Sequence, residues 1–162
     1  MYYEKELKAL KKSGRYRTRA LVETSLIDFA SNDYLGLAHN KELHSQACID
    51  LANLPLNSSK ASFLVNGYHQ IHKDFEIALC QANGFDDAVI LGSGFVANIA
   101  MIESLVRKGD TLFMDECYHA SGVLATKLEH INVVFFKHND MAELQSLLEL
   151  CDSKRKIIAV EG

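Results

Sequence analysis

The 162-residue chain carries 17 Lys and Arg against 21 Asp and Glu, a formal net charge of −4, and 48% of its residues are hydrophobic. That length gives roughly one domain able to bury its own core, and the apolar content excludes a disordered tail or a low-complexity linker. Mild acidity with one short basic cluster, Lys11 to Arg19, argues against a dedicated nucleic-acid binder, because phosphate neutralisation needs clustered Lys and Arg.

The start, Met1-Tyr2-Tyr3-Glu4-Lys5-Glu6, is charged with no apolar stretch behind it, so no secretory signal is expected, and no apolar run reaches the length of a membrane span. Cys48, Cys80, Cys117 and Cys151 are spread without a Cys-x-x-Cys, which reads as reduced thiols in a cytoplasmic protein. A short helix is expected from Tyr2 to about Lys12, ended by Gly14. A basic segment follows, Arg15-Tyr16-Arg17-Thr18-Arg19, then a strand-like run at Leu26-Ile27-Asp28-Phe29 and a turn at Asn32-Asp33-Tyr34-Leu35-Gly36. Asn40 caps a helix from Lys41 to about Leu54, which Pro55 closes, and Asn57 to Ala61 is a polar loop. A further helix runs from His69 to Ala82 and stops at Gly84.

From Asp87 onward, apolar strands alternate with helices. Strands are expected at Ala88–Leu91, Thr111–Met114, Val133–Phe136 and Ile157–Val160, the last being the fourth. Helices are expected at Phe95–Val106, His119–Leu128 and Asp140–Leu150, the last opened by a capping box of Asp140 and Glu143. This alternation is the mark of an α/β protein with a parallel sheet buried on both faces. The chain stops at Glu161-Gly162, directly after a buried-type strand with no crossover helix to cover it, so a fragment of a longer protein is expected.

Several residues can carry chemistry. Gly92-Ser93-Gly94-Phe95 joins a strand to a helix, where backbone N–H groups and the helix dipole favour an anion; a phosphate site and a bare tight turn both fit. The full G-x-G-x-x-G is absent, since Ala97 fills the third glycine position. His119 follows a strand at its carboxyl end, where ligand contacts gather; an imidazole there can stack on a flat ring or move a proton, or simply cap a helix. Cys117 as a nucleophile paired with His119 lacks an oxyanion donor, and a structural thiol is the simpler reading. His69 and His72, at i and i+3, fit two metal ligands or helix caps, with no further Cys or His pair to complete a metal set. Arg15, Arg17 and Arg19 can clamp a carboxylate or form a solvated basic face.

These signals fall in one order: Ser31-Asn32-Asp33-Tyr34-Leu35-Gly36-Leu37, then Gly67-Tyr68-His69-Gln70-Ile71-His72-Lys73-Asp74-Phe75-Glu76, then Gly92-Ser93-Gly94-Phe95-Val96-Ala97-Asn98, then Asp115 through His119-Ala120-Ser121, then Val160-Glu161-Gly162. In this the chain closely resembles the α-oxoamine synthases, pyridoxal-phosphate enzymes of the aspartate-aminotransferase fold. The resemblance implies a PLP-dependent transferase fold, truncated. Residues 1–40 would be an N-terminal arm and the start of the small domain, and 41–162 an incomplete large cofactor-binding domain with a mainly parallel sheet. It implies pyridoxal 5'-phosphate as cofactor. Gly94 and Phe95 would hold its phosphate, His119 would stack on its ring and orient substrate, and Glu161 would lie near it. Arg17 would contact the substrate carboxylate and Asn32 would lie in the substrate site. Gly67-Tyr68, where relatives commonly have Gly-Thr, favours the biotin branch, which joins L-alanine to pimeloyl-CoA or a pimeloyl-carrier protein with loss of CO2 in a homodimer. Glycine or serine acyl transfer, or a non-catalytic phosphate-binding domain, are the alternatives.

Two departures stand out. Ser58-Ser59-Lys60-Ala61-Ser62-Phe63 replaces a glycine-rich stretch that in the family ends in Ser-Arg, which removes a cation and stiffens the loop. The family's Schiff-base lysine belongs to a segment beyond Gly162, and Lys73 and Lys127 read as surface residues, so no catalytic lysine is expected within the chain. No metal is expected, and no nucleic-acid or membrane partner.

Overall fold

The computed structural model describes residues 2–128 and 131–161. The chain divides into two compact units, Met1–Ser58 and Ser59–Gly162.

The first unit holds helix α1 (Glu4–Lys12), a 3-10 turn (Leu37–His39) and helix α2 (Lys41–Ala52). Local side-chain caps set its chain reversals. Asp33 accepts the N–H groups of Leu37 (2.7 Å) and Ala38 (3.1 Å), which fixes the turn predicted around Gly36. Asn40 accepts the Leu43 N–H at 2.9 Å and starts α2 where the sequence placed it. The strand expected at Leu26–Phe29 is not formed. Asp28 Oδ1 accepts from Ala30 and Ser31 at 2.9 and 3.0 Å, so the backbone closes a polar turn where a strand would need a partner.

The second unit begins with a wide turn (Phe63–Gly67) and helix α3 (Gln70–Asn83), followed by α4 (Gly94–Leu105), β1 (Thr111–Asp115), α5 (Ala120–Leu128), β2 (Asn132–Phe136), α6 (Met141–Leu150) and β3 (Lys156–Ala159). The wide turn closes on itself: a Cβ on Gly67 would lie 1.8 Å from the Ala61 carbonyl oxygen, so only glycine fits. The three strands are parallel in the order β2-β1-β3, with Thr111 opposite Asn132 and Lys156.

β1 is the centre of this unit, and all five of its residues are buried. Its side chains alternate. Leu112 and Met114 pack with Ile102, Val106, Tyr118 and Ala125 from the α4–α5 side. Phe113 packs with Phe136 and Leu144 on the α6 side. A parallel strand covered on both faces explains why its sequence is continuously apolar rather than alternating.

Two expectations need correcting here. The run Ala88–Leu91 is not a strand, so the strand at Lys156–Ala159 is the third and not the fourth. β1 has both of its edges taken by β2 and β3, and the Ile90 N–H is donated to Glu76 Oε1 at 3.0 Å instead of to a sheet. The capping box of α6 forms by half. Asp140 accepts the Glu143 N–H at 2.8 Å, but the Glu143 carboxylate turns to the Lys137 N–H at 2.6 Å. Among the described residues no helix is long and apolar enough to cross a membrane. All four cysteines are free thiols.

Candidate functional site

In a parallel sheet the space beyond the carboxyl ends of the strands collects ligands, because the loops and helix N-termini converge there. α4 opens toward such a position. Ser93 caps it, its Oγ accepting the Val96 N–H at 3.3 Å and its carbonyl the Ala97 N–H at 3.0 Å. Of the first four helical donors, those of Gly94 and Phe95 are left with no acceptor among the described residues. A Cβ on Gly94 would meet nothing within 4 Å, so the approach to these two N–H groups is open. They are the positions that the sequence resemblance assigns to a cofactor phosphate, and a helix N-terminus with two free donors is suited to an anion.

His119 stands at the start of α5, just past β1. Its ring lies edge-on to that of Phe95, with centroids 6.5 Å apart. Its Nδ1 meets Ser121 Oγ at 2.7 Å and the Ser121 N–H at 3.2 Å. Asn98, one turn into α4, donates to Ser121 Oγ at 3.0 Å, and the Tyr118 hydroxyl donates to Asn98 Oδ1 at 3.1 Å. Burial, and after it the charge of Glu161, raise the Tyr118 phenol above its ordinary pKa. Phe95 and His119 thus meet at the start of α4 and α5, and Asn98, Ser121 and Tyr118 are hydrogen-bonded in series behind the His119 ring. Gly122 permits this closeness: a Cβ there would lie 2.2 Å from the Tyr118 ring.

The same end of the sheet holds a second polar group that sequence reasoning missed. The Asp115 carboxylate, nearly buried, accepts from the N–H groups of Cys117 (2.8 Å) and Asn139 (3.2 Å) and meets His138 Nδ1 at 3.0 Å. Burial pushes the Asp115 carboxyl up, but these hydrogen bonds outweigh it and hold the group below its ordinary pKa. Asn139 adopts φ 57°, the left-handed conformation that Asn tolerates, and so aims its N–H at Asp115. The donor atoms of Asp115, Cys117 and His138 lie within 4.8 Å of one another, a spacing that a metal could use. The carboxylate oxygens already have backbone partners, which explains the cluster as an anion cradle. The position of His138 just beyond β2, matching that of His119 just beyond β1, was the available signal.

Arg17 and Asn32 belong to the first unit and are exposed; Asn32 accepts from the Tyr34 hydroxyl at 3.3 Å. His69 and His72 form a reciprocal cap, with His72 Nδ1 accepting the His69 N–H at 2.9 Å. The His72 Nδ1 is therefore held by the backbone at the start of α3, which fits the capping reading. No hydrogen bond joins Cys117 to His119 among the described residues, and Lys73 and Lys127 are exposed. A cavity of about 690 Å³ opens beside Arg107, Gly109, Asp110, Asn132 and Ser153. It lies at the amino ends of the strands, away from His119, and is not where this sheet would present a ligand.

The model of the family described as aminotransferase class I and II matches residues 24–162. The chain is 46% identical over 161 residues, 99% of its length, to 8-amino-7-oxononanoate synthase of Helicobacter pylori strain ATCC 700392 / 26695, of which it covers 43%. It is 40% identical over 149 residues, 92% of its length, to 8-amino-7-oxononanoate synthase of Aliivibrio fischeri strain MJ11, of which it covers 39%. Among solved structures it matches serine palmitoyltransferase of Sphingomonas wittichii with a TM-score of 0.80 at 24% identity, over 97% of this chain and 43% of that one. It also matches 8-amino-7-oxononanoate synthase of Francisella tularensis with a TM-score of 0.62 at 27% identity, over 80% of this chain and 35% of that one. The chain therefore spans about two-fifths of the length of the curated relatives it matches.

Proposed function

Since the chain belongs to the aminotransferase class I and II family, we propose that it is the phosphate-holding and ring-stacking part of a pyridoxal-phosphate acyltransferase that joins L-alanine to a pimeloyl thioester, giving 8-amino-7-oxononanoate and CO2. The observation that carries this reading is the pair of free N–H donors of Gly94 and Phe95 beside the His119 ring. A dianionic phosphate satisfies both donors and is stabilised by the α4 dipole. His119, held at its Nδ1 edge, offers a ring face for a flat heteroaromatic group, with Phe95 edge-on beside it. When bound, the cofactor supplies an electron sink for the carbanion that attacks the thioester. Arg17, for the substrate carboxylate, and Asn32, for the substrate, are assigned from sequence resemblance. The same reading includes an arm over residues 1–40, an incomplete cofactor-binding domain over 41–162, and a cytoplasmic homodimer in the full-length form. The acylated partner is pimeloyl-CoA or a pimeloyl-carrier protein.

Gly94→Pro tests the phosphate assignment. Proline is tolerated at the first helical position, and Ser93 already has the extended backbone that must precede it (φ −166°, ψ 157°), so the helix survives while one N–H is lost. Loss of a hydrogen bond to a charged group should weaken pyridoxal 5'-phosphate binding by roughly tenfold or more and leave pyridoxal unaffected. An equal effect on both ligands would contradict the assignment. Turnover with L-alanine in preference to glycine or serine by the full reading frame tests the reaction itself.

A further inference from the structure

We propose that Tyr118, Asn98 and Ser121 form a directed hydrogen-bond relay that holds His119 as its Nε2–H tautomer. Their part as positioning residues for the cofactor ring rests on the function proposed above; the tautomer itself does not.

The direction follows from the one group that can only donate. The Ser121 backbone N–H points at His119 Nδ1 at 3.2 Å, so Nδ1 accepts and the ring proton of the neutral imidazole resides on Nε2. Ser121 Oγ lies 2.7 Å from the same Nδ1 and can bond to it only by giving up its hydroxyl proton. Its lone pairs are then free to accept from Asn98, 3.0 Å away, which requires the amide nitrogen on that side. Asn98 Oδ1 is thereby turned to Tyr118, whose hydroxyl donates at 3.1 Å. Tyr118 suits the donor end, because burial and the Glu161 charge both favour the protonated phenol. Each link uses one donor and one acceptor, and reversing any single link sets two donors or two acceptors against each other.

Packing keeps the relay in register. Ser121 is fully buried, and Tyr118 belongs to the core cluster with Ile102 and Leu112. α5 sits close over the Tyr118 ring at Gly122. His119 itself is exposed, so a relay with Tyr118 and Ser121 buried and Asn98 half-buried orients a ring whose Nε2–H edge remains available.

Two-bond proton–nitrogen spectra of the 162-residue chain with nitrogen-15-labelled histidine read the tautomer directly, with His119 assigned by its loss in His119→Gln. The expected wild-type pattern is Nε2–H; an Nδ1–H pattern overturns the proposal whatever the variants do. Asn98→Asp, nearly isosteric, offers Ser121 only acceptors, so the serine proton turns away and Oγ can accept from Nδ1–H. The tautomer ratio should then move roughly tenfold toward Nδ1–H, the size of reversing one hydrogen bond. Ser121→Ala should move it less in the same direction. Unchanged ratios in both variants, with the β1 amide signals in place, would overturn the relay. In titrations, Ser121→Ala should weaken pyridoxal 5'-phosphate several-fold and leave inorganic phosphate unchanged; equal effects would reduce the trio to structural support. Failure of the wild-type chain to bind the cofactor contradicts the functional reading alone, because the tautomer is measured without it.

Discussion

The two units are built by different means. Among the described residues of Met1–Ser58 none is buried, and the turns are set by Asp28, Asp33 and Asn40, each bonding backbone a few residues away. In Ser59–Gly162 a central strand is buried along its whole length and packs on both faces. Caps of this kind contribute about 1 kcal/mol each, whereas burying one large apolar side chain contributes about 2–3 kcal/mol. The first unit therefore has local order with little cooperativity, and the second has a core that can hold chemical groups in fixed positions. The free donors and the His119 relay are found in the second.

The contrast can be broken from the core outward. Phe113→Ala removes a fully buried side chain and should destabilise the second unit by about 3–5 kcal/mol, seen as a lower urea midpoint for loss of the β1 amides. The same change should leave the α2 amides of the first unit unaltered. Gly122→Val forces side-chain atoms into the Tyr118 ring and should cost about 1–3 kcal/mol, with loss of the Tyr118–Asn98 hydrogen bond. Asn40→Ala should cost about 1 kcal/mol and act on α2 alone, read as faster amide exchange at its first turn.

The smallest expected effect is on acid stability. Asp115 has a folded-state pKa below its ordinary value, so its ionised form contributes stability that is fully present above the unfolded-state value of about 4 and is lost as pH falls through the folded value. Asp115→Asn should flatten that part of the acid limb of the stability profile. An unchanged acid limb would mean that the Cys117, His138 and Asn139 contacts do not favour the charged form.

Much of this was legible in the sequence because the signals were local. The runs around Leu112, Val133 and Ile157 are continuous apolar stretches and became the parallel strands; Asn40 and Asp140 were recognisable caps. Ala88–Leu91 has the same apolar character, but a strand also needs a neighbour, and composition does not record that the Ile90 N–H bonds to Glu76. Leu26–Phe29 failed because Asp28 offers the backbone a closer partner than another strand. Gly94 and His119 could be marked by their place at a strand–helix junction. Asn98, Ser121 and Tyr118 could not be marked as a relay, since the Asn98–Ser121 and Tyr118–Asn98 bonds span 23 and 20 residues. They exist because α5 can approach the Tyr118 ring at Gly122. His138 was missed for a similar reason: its partner, Asp115, is 23 residues away at the end of β1.

The most direct test of the account is a map of backbone amide shifts as pyridoxal 5'-phosphate is titrated into the chain. The Gly94 and Phe95 amides should show the largest saturable shifts, with the His119 ring resonances moving in step. Saturable shifts centred instead on the basic segment Arg15–Arg19, or none at Gly94 and Phe95, would contradict it.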